Sequence, residues 1–293
     1  MTAALQQVMD GLATGSIYAA LALALVLVHQ STGVVNFAQG TMGAFGAYLA
    51  WTMWSIGLPI GVAVLIAVVL SVPFGAATER FVMRRLYGKH PLTLIVITVG
   101  MLIALTGIIS LIWGHGATQF PTMFPEGVFR IGGVAVTYES LGNLVILAIV
   151  VLLMQFVFMR TRFGLVMRSV ADNRESSALL GIPTGQLLMV GWGMAAAFGT
   201  LAACLIAPRV FLSPTLMDTV LIYALSAAIL GGLNSPLGAV VAALAIGVVE
   251  NLAATYVPVV STDLKIVVPL VLMAIILVFR PQGLFGTKEL VRV

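Results

Sequence analysis

Few residues in this chain of 293 have the type and spacing for chemistry. Glu250 stands alone in an otherwise apolar run, where an acid at membrane depth must face protein. Two readings of it are open: a substrate or proton group, and a structural hydrogen bond to Ser, Thr or backbone. His29, His90 and His115 fall on separate loops or helix ends without metal-ligand spacing. The single cysteine, Cys204, sits inside the apolar run 194–207 and reads as a packing residue. Gly286-Thr-Lys288 lacks the spacing of a phosphate loop, and Gly114-His-Gly116 follows no strand, as a dinucleotide fingerprint requires. The sequence therefore offers no catalytic residues, metal site, cofactor motif or energy-converting site, and the chain is read as a non-enzyme.

Three polar interruptions carry more information. Ser31 to Gly40 is uncharged, polar and glycine-containing between two apolar runs. A break of that kind at membrane depth is tolerated where it is buried or lines a cavity. Both a tight turn at the membrane surface and an element of a translocation pathway fit it. Gly40, Gly43 and Gly46 follow at a spacing of three, so another helix can approach that face closely.

The second is Arg160 to Pro183, containing a short amphipathic helix from Leu165 to Leu180. Gly181 is placed to end it as a left-handed cap, with Pro183 preventing continuation. Arg168 and Asp172 stand at i and i+4 on a polar face expected opposite Leu165, Val166, Leu179 and Leu180. Lipid headgroups and a groove on a partner protein are both suitable surfaces for such a helix. The third interruption, Ile229 to Ala239, is a Gly-Asn-Pro cluster that faintly echoes residues 33–46.

The elements that position these groups follow from composition. Lys+Arg number 14 and Asp+Glu 10, which is 8% of residues against roughly a quarter in a soluble domain. No charged residue occurs between Asp10 and Glu79. A water-soluble enzyme is excluded, and lipid must be the solvent for most of the chain. Apolar segments lie at about 4–29, 38–56, 58–79, 92–113, 140–159, 185–207, 219–232, 238–256 and 264–279. The runs are continuous rather than alternating, which excludes a barrel. The expected fold is all-α, a polytopic membrane protein of eight to nine transmembrane helices with one or more broken or re-entrant segments, forming one domain over 1–293.

Basic residues concentrate at Arg80, Arg84, Arg85 and Lys89, at Arg160, Arg162, Arg168 and Arg174, and at Arg280, Lys288 and Arg292. The positive-inside rule turns these segments to the cytoplasm and Gly114–Glu139 outside, as an external loop. The C-terminus is then cytoplasmic, while the side of the N-terminus depends on whether a segment among residues 30–60 is re-entrant. The net charge of +4 thus reports orientation, not a nucleic-acid partner.

Several motifs occur together: Gly33-Val-Val-Asn-Phe-Ala-Gln-Gly40 with Gly46-Ala-Tyr48, Asp172-Asn173 with Ala178-Leu-Leu-Gly-Ile182, Ile229-Leu-Gly-Gly232 with Gly238 and Glu250, and Phe279-Arg-Pro-Gln-Gly-Leu-Phe-Gly286. In this order they resemble the branched-chain amino-acid ABC-transporter permeases, specifically the shorter of two permease types. The resemblance covers almost the whole chain. It implies the translocation subunit of an ATP-driven importer in the bacterial inner membrane, bringing branched-chain or other aliphatic amino acids into the cytoplasm. Implied partners are a second related permease chain, two cytoplasmic ATPase subunits and an external substrate-binding protein, besides membrane lipid. Residues 160–183 match the family's cytoplasmic coupling segment, which favours ATPase docking through Arg160, Arg162, Gly164, Arg168, Asp172, Asn173, Glu175 and Gly181. Asn36, Gln39 and Gly40, with Glu250, carry over as substrate-pathway positions. Gln39 departs from the His found there in many relatives, so no titrating imidazole is expected. Related permeases serve urea and short amides, which the motifs leave open. A proton-coupled secondary transporter using Glu250, and a scaffold without a transport role, are the readings of a different class.

Overall fold

The computed structural model describes residues 2–131, 133–172, 174–257, 260 and 264–286. The helices are α1 (Thr2–Thr32), α2 (Gln39–Ser55), α3 (Ile60–Phe81), α4 (Pro91–Trp113), α5 (Tyr138–Arg160), α6 (Arg162–Asp172), α7 (Arg174–Leu179), α8 (Thr184–Val210), α9 (Asp218–Gly231), α10 (Pro236–Tyr256) and α11 (Val267–Phe279). All nine apolar segments expected from the sequence are helical, because only a helix satisfies its own backbone in lipid. Six of them are long and apolar enough to cross a membrane: α1, α3, α4, α5, α8 and α10. The shorter apolar helices α2, α9 and α11 have 17, 14 and 13 residues. By length and composition the protein is thus a multi-pass helical membrane protein with six candidate spans among the described residues.

Local sequence sets several boundaries. Ser235 caps α10 by accepting from the Gly238 N–H at 3.1 Å, with Pro236 at the first helical position. α4 opens similarly: His90 Nδ1 accepts from the Leu92 N–H at 3.3 Å and Pro91 follows the cap. Two strands, β1 (Val128–Ile131) and β2 (Val134–Thr137), form an antiparallel hairpin within the segment expected to be an external loop.

The chain divides into two compact units, residues 1–26, 124–147 and 219–293 in one and 27–123 and 148–218 in the other. In the first, α1 and α10 cross in backbone contact at Gly11, Gly15 and Gly247, where an added Cβ would strike the opposing main chain. Gln6 holds the hairpin: its side-chain Nε2 donates to the Ala135 carbonyl and its Oε1 accepts from the Ala135 N–H, both at 2.7 Å. The C-terminal motif also finds a physical role here. The N–H groups of Leu284 and Phe285 donate to the Leu230 and Gly231 carbonyls at 2.8 and 3.1 Å, satisfying the end of α9. Gly283, at φ 81°, lies against the Gly232 backbone, so this clip needs glycine on both sides.

In the second unit α8 is the central helix and is largely buried between α2 and α3. α2 meets α8 with Gly43 on the Gly199 backbone and Gly46 on the Thr200 side chain. Phe45 stacks on Phe74 with ring centroids 5.0 Å apart and meets Trp113 edge-on at 5.8 Å, which fastens α2 to α3 and α4. By contrast, most of the apolar side chains of α4 face outward, as lipid contact requires.

Candidate functional site

The polar break between α1 and α2 is built by two amides. Asn36 Oδ1 accepts from the Ala38 N–H at 3.0 Å, closing a tight local turn, while its Nδ2 donates to Gln39 Oε1 at 3.1 Å. Gln39, the first residue of α2, donates through Nε2 to the Ala195 carbonyl on α8 at 2.8 Å. Both side chains are fully buried. A buried amide without partners is costly, so the two side chains satisfy each other and use the remaining donor to anchor the break to α8. Gly199 makes room for this, since a Cβ there would lie 2.9 Å from Gln39 Nε2. Gly40 is buried beside Gln39. Of the four pathway positions expected from the sequence, the structure brings these three together in the second unit.

Glu250 belongs to the first unit, on α10, and is buried. The Tyr18 hydroxyl donates to its Oε2 at 3.1 Å, and the Tyr223 hydroxyl bonds the same carboxyl. The two tyrosine rings are stacked, with centroids 4.6 Å apart and planes within 2°. The acid is therefore held by a pair of aromatic hydroxyls, where the structural one of its two sequence readings names Ser, Thr or backbone as the partner. Neither tyrosine stands out in the sequence, since Thr14 and Ser16 near Tyr18 and Ser226 near Tyr223 are equally polar members of the same apolar runs.

Residues 160–183 form two helices, α6 and α7, where the sequence suggested one from Leu165 to Leu180. The inward face also differs from expectation. Phe163, Val166, Met167 and Val170, at i, i+3, i+4 and i+7, pack with Phe158, Ile182 and Leu187. Leu165, Leu179 and Leu180 are instead 62%, 89% and 81% exposed. Gly164 lies against the Phe158 main chain and so permits the close corner between α5 and α6. The expected cap is present: Gly181 has φ 79°, Ile182 N–H donates to the Ser177 carbonyl at 3.1 Å, and Gly181 N–H donates to Ala178 at 3.0 Å. Arg160 and Arg162 are exposed, Arg168 and Asp172 lie on α6 and Glu175 on α7, and Asn173 lies outside the described residues. Among the described residues no group of three or more His, Cys, Asp or Glu is arranged to hold a metal.

These features define a polytopic helical membrane protein whose polar groups are buried at a helix break and beneath an aromatic pair. The family described as branched-chain amino acid transport system / permease component matches residues 7–277, and the chain belongs to that family. It is 29% identical to the high-affinity branched-chain amino acid transport system permease protein BraD of Pseudomonas aeruginosa, over 99% of this chain and 98% of BraD. LivH of Escherichia coli K12, of the same description, is 27% identical over 99% of this chain and 97% of its own. A probable branched-chain amino acid transport permease protein LivH from Methanocaldococcus jannaschii is 25% identical over 91% and 87%. A solved structure, PsaBC from Streptococcus pneumoniae in complex with Fab, is a distant likeness at 14% identity and TM-score 0.48, covering 93% of this chain and 91% of that one.

Proposed function

We propose that this chain is the translocation subunit of an ATP-driven importer that carries branched-chain or other aliphatic amino acids into the cytoplasm. In this reading it sits in the bacterial inner membrane beside a second related permease chain, with two ATPase subunits below and a substrate-binding protein outside. The observation that carries the reading is the family match over 7–277 in a chain whose sequence contains no phosphate loop. Energy input is then assigned to other subunits.

The break at residues 33–40, with its buried Asn36 and Gln39, and the Glu250 carboxyl are the polar points of the solute route in this proposal. A zwitterion with an aliphatic side chain suits a route that is mostly apolar and carries few hydrogen-bonding groups. Residues 160–183, with a cytoplasmic C-terminus, take the ATPase contact, and the exposed Arg160 and Arg162 lie at its entrance. The test is uptake of radiolabelled leucine by membrane vesicles containing the assembled importer. Uptake should require ATP and the ATPase subunits and should resist competition by urea. Uptake driven by a proton gradient through this chain alone overturns the proposal and makes Glu250 the coupling group.

A further inference from the structure

α3 and α8 are fastened to one another at three levels. At one end Ser71 Oγ and Thr200 Oγ1 are hydrogen-bonded at 2.6 Å. In the middle, Gly75 lies on the Trp192 carbonyl, and a Cβ on Gly193 would be 2.8 Å from the Val72 carbonyl, so the two backbones touch. At the other end the fully buried Glu79 carboxylate receives Arg84, whose Nε donates to Oε1 at 3.2 Å and Nη2 to Oε2 at 2.7 Å. The same Nη2 donates to the Gly185 carbonyl, in the first turn of α8, at 2.6 Å. Ser71, Gly75 and Glu79 stand four residues apart and form one stripe along α3. The sequence marks Arg84 as a basic residue of a loop and Glu79 as the acid ending an uncharged stretch, with nothing to join them to residue 185.

Gly185 is also where the segment 160–183 enters α8. A Cβ there would lie 3.1 Å from Arg84 Cζ, so glycine lets the guanidinium lie flat on the backbone. The rigid fork of Arg serves the carboxylate and the carbonyl at once, which a point charge on Lys cannot do. The Glu79 side chain has no exposure, so its charge must be compensated where it is, while Arg84 reaches it from a side chain that is 36% exposed.

We propose that Glu79 and Arg84 are positioning residues that make α3 and α8 a single lever, delivering any displacement of the 160–183 segment into both helices together. The proposal rests on the reading of the protein as an ATP-driven importer. Without the clasp, the first turn of α8 moves alone while α3 stays behind, and ATP hydrolysis proceeds with little transport.

The test uses the complete importer with its binding protein in proteoliposomes, measuring leucine transported per ATP hydrolysed. Glu79→Gln keeps the shape and removes the charge; the ratio should fall roughly tenfold with ATP hydrolysis retained, near the upper range of coupling changes seen along such networks. Arg84→Lys should lie between it and the wild type. Spin labels at Arg80 and Gln186, exposed positions flanking the clasp, should keep one separation with and without nucleotide in the wild type and change separation in Glu79→Gln. If Glu79→Gln does not assemble, Gly185→Leu puts a bulky side chain where even a Cβ would lie 3.1 Å from Arg84 Cζ, moves the guanidinium off the carbonyl with both charges kept, and should lower the ratio. An unchanged ratio in the assembled variants, or a wild-type label separation that changes with nucleotide, overturns the proposal. A wild-type complex without ATP-dependent uptake refutes the importer reading itself, an outcome recognisable before any variant is made.

Discussion

Replacing Gln39 by Met keeps the length and flexibility of the side chain and removes its amide. The change deletes the bond from Asn36 Nδ2 at 3.1 Å and the bond to the Ala195 carbonyl at 2.8 Å. The Ala195 bond contributes about 1 kcal/mol net, and leaving the buried Asn36 amide with only its weak contact to Met42 Sδ at 3.5 Å costs about 1–3 kcal/mol. The Ala38 N–H still reaches Asn36 Oδ1, so the local turn survives while the anchor to α8 is lost. Together these come to about 2–4 kcal/mol, and with an unfolding entropy of about 2 cal/mol/K per residue the melting temperature falls by about 3–7 °C. Thermal unfolding of the detergent-purified chain measures this. Asn36→Ala made on top of Gln39→Met should cost less than Asn36→Ala alone, since the orphaned donor is then gone. A Gln39→Met protein with wild-type melting temperature refutes the argument that these amides hold the break. If that protein also loses leucine uptake, Gln39 meets the solute directly instead of holding the backbone that does.

Two further substitutions test the packing and the cap. Gly43→Ala places a methyl against the Gly199 carbonyl, a main-chain atom that cannot rotate away, and should destabilise by about 1–3 kcal/mol. The same change at Gly100 in α4, where nothing lies within 4 Å, should be neutral or stabilise by up to about 1 kcal/mol through helix propensity. Thermal unfolding of the pair decides, and equal effects would contradict the assigned helix contact. Gly181→Val forces a β-branched residue to φ 79° in open space, a backbone strain of about 1–2 kcal/mol or more. The chain should still accumulate in the membrane but retain less ATPase on co-purification, and undiminished retention with normal uptake would count against the coupling role.

The sequence by itself determined most of the secondary structure, because each apolar run must satisfy its backbone in lipid and Gly, Pro and polar residues end it. It also determined the cap at Gly181, since φ near 80° selects glycine from the residues nearby, and the polar break at 33–40. The hairpin at 128–137 was legible in the alternation of Val134-Ala-Val-Thr137 after a Gly-Gly pair, a weaker signal than a long apolar run. The inward stripe of α6 was equally present as Phe163, Val166, Met167 and Val170, but Leu165, Leu179 and Leu180 are as hydrophobic as the residues that are buried. Hydrophobicity alone does not say which side of a short helix meets its neighbours. Only the tertiary structure decided the partners of the polar groups. Gln39 reaches Ala195, Glu250 meets Tyr18 and Tyr223, and Arg84 joins Glu79 to Gly185, contacts that span up to 232 residues of chain. In a solvent that offers a buried amide or acid no hydrogen bonds, the need for a partner can be read from the residue type. Which partner it finds is set by how closely glycine-faced helices pack.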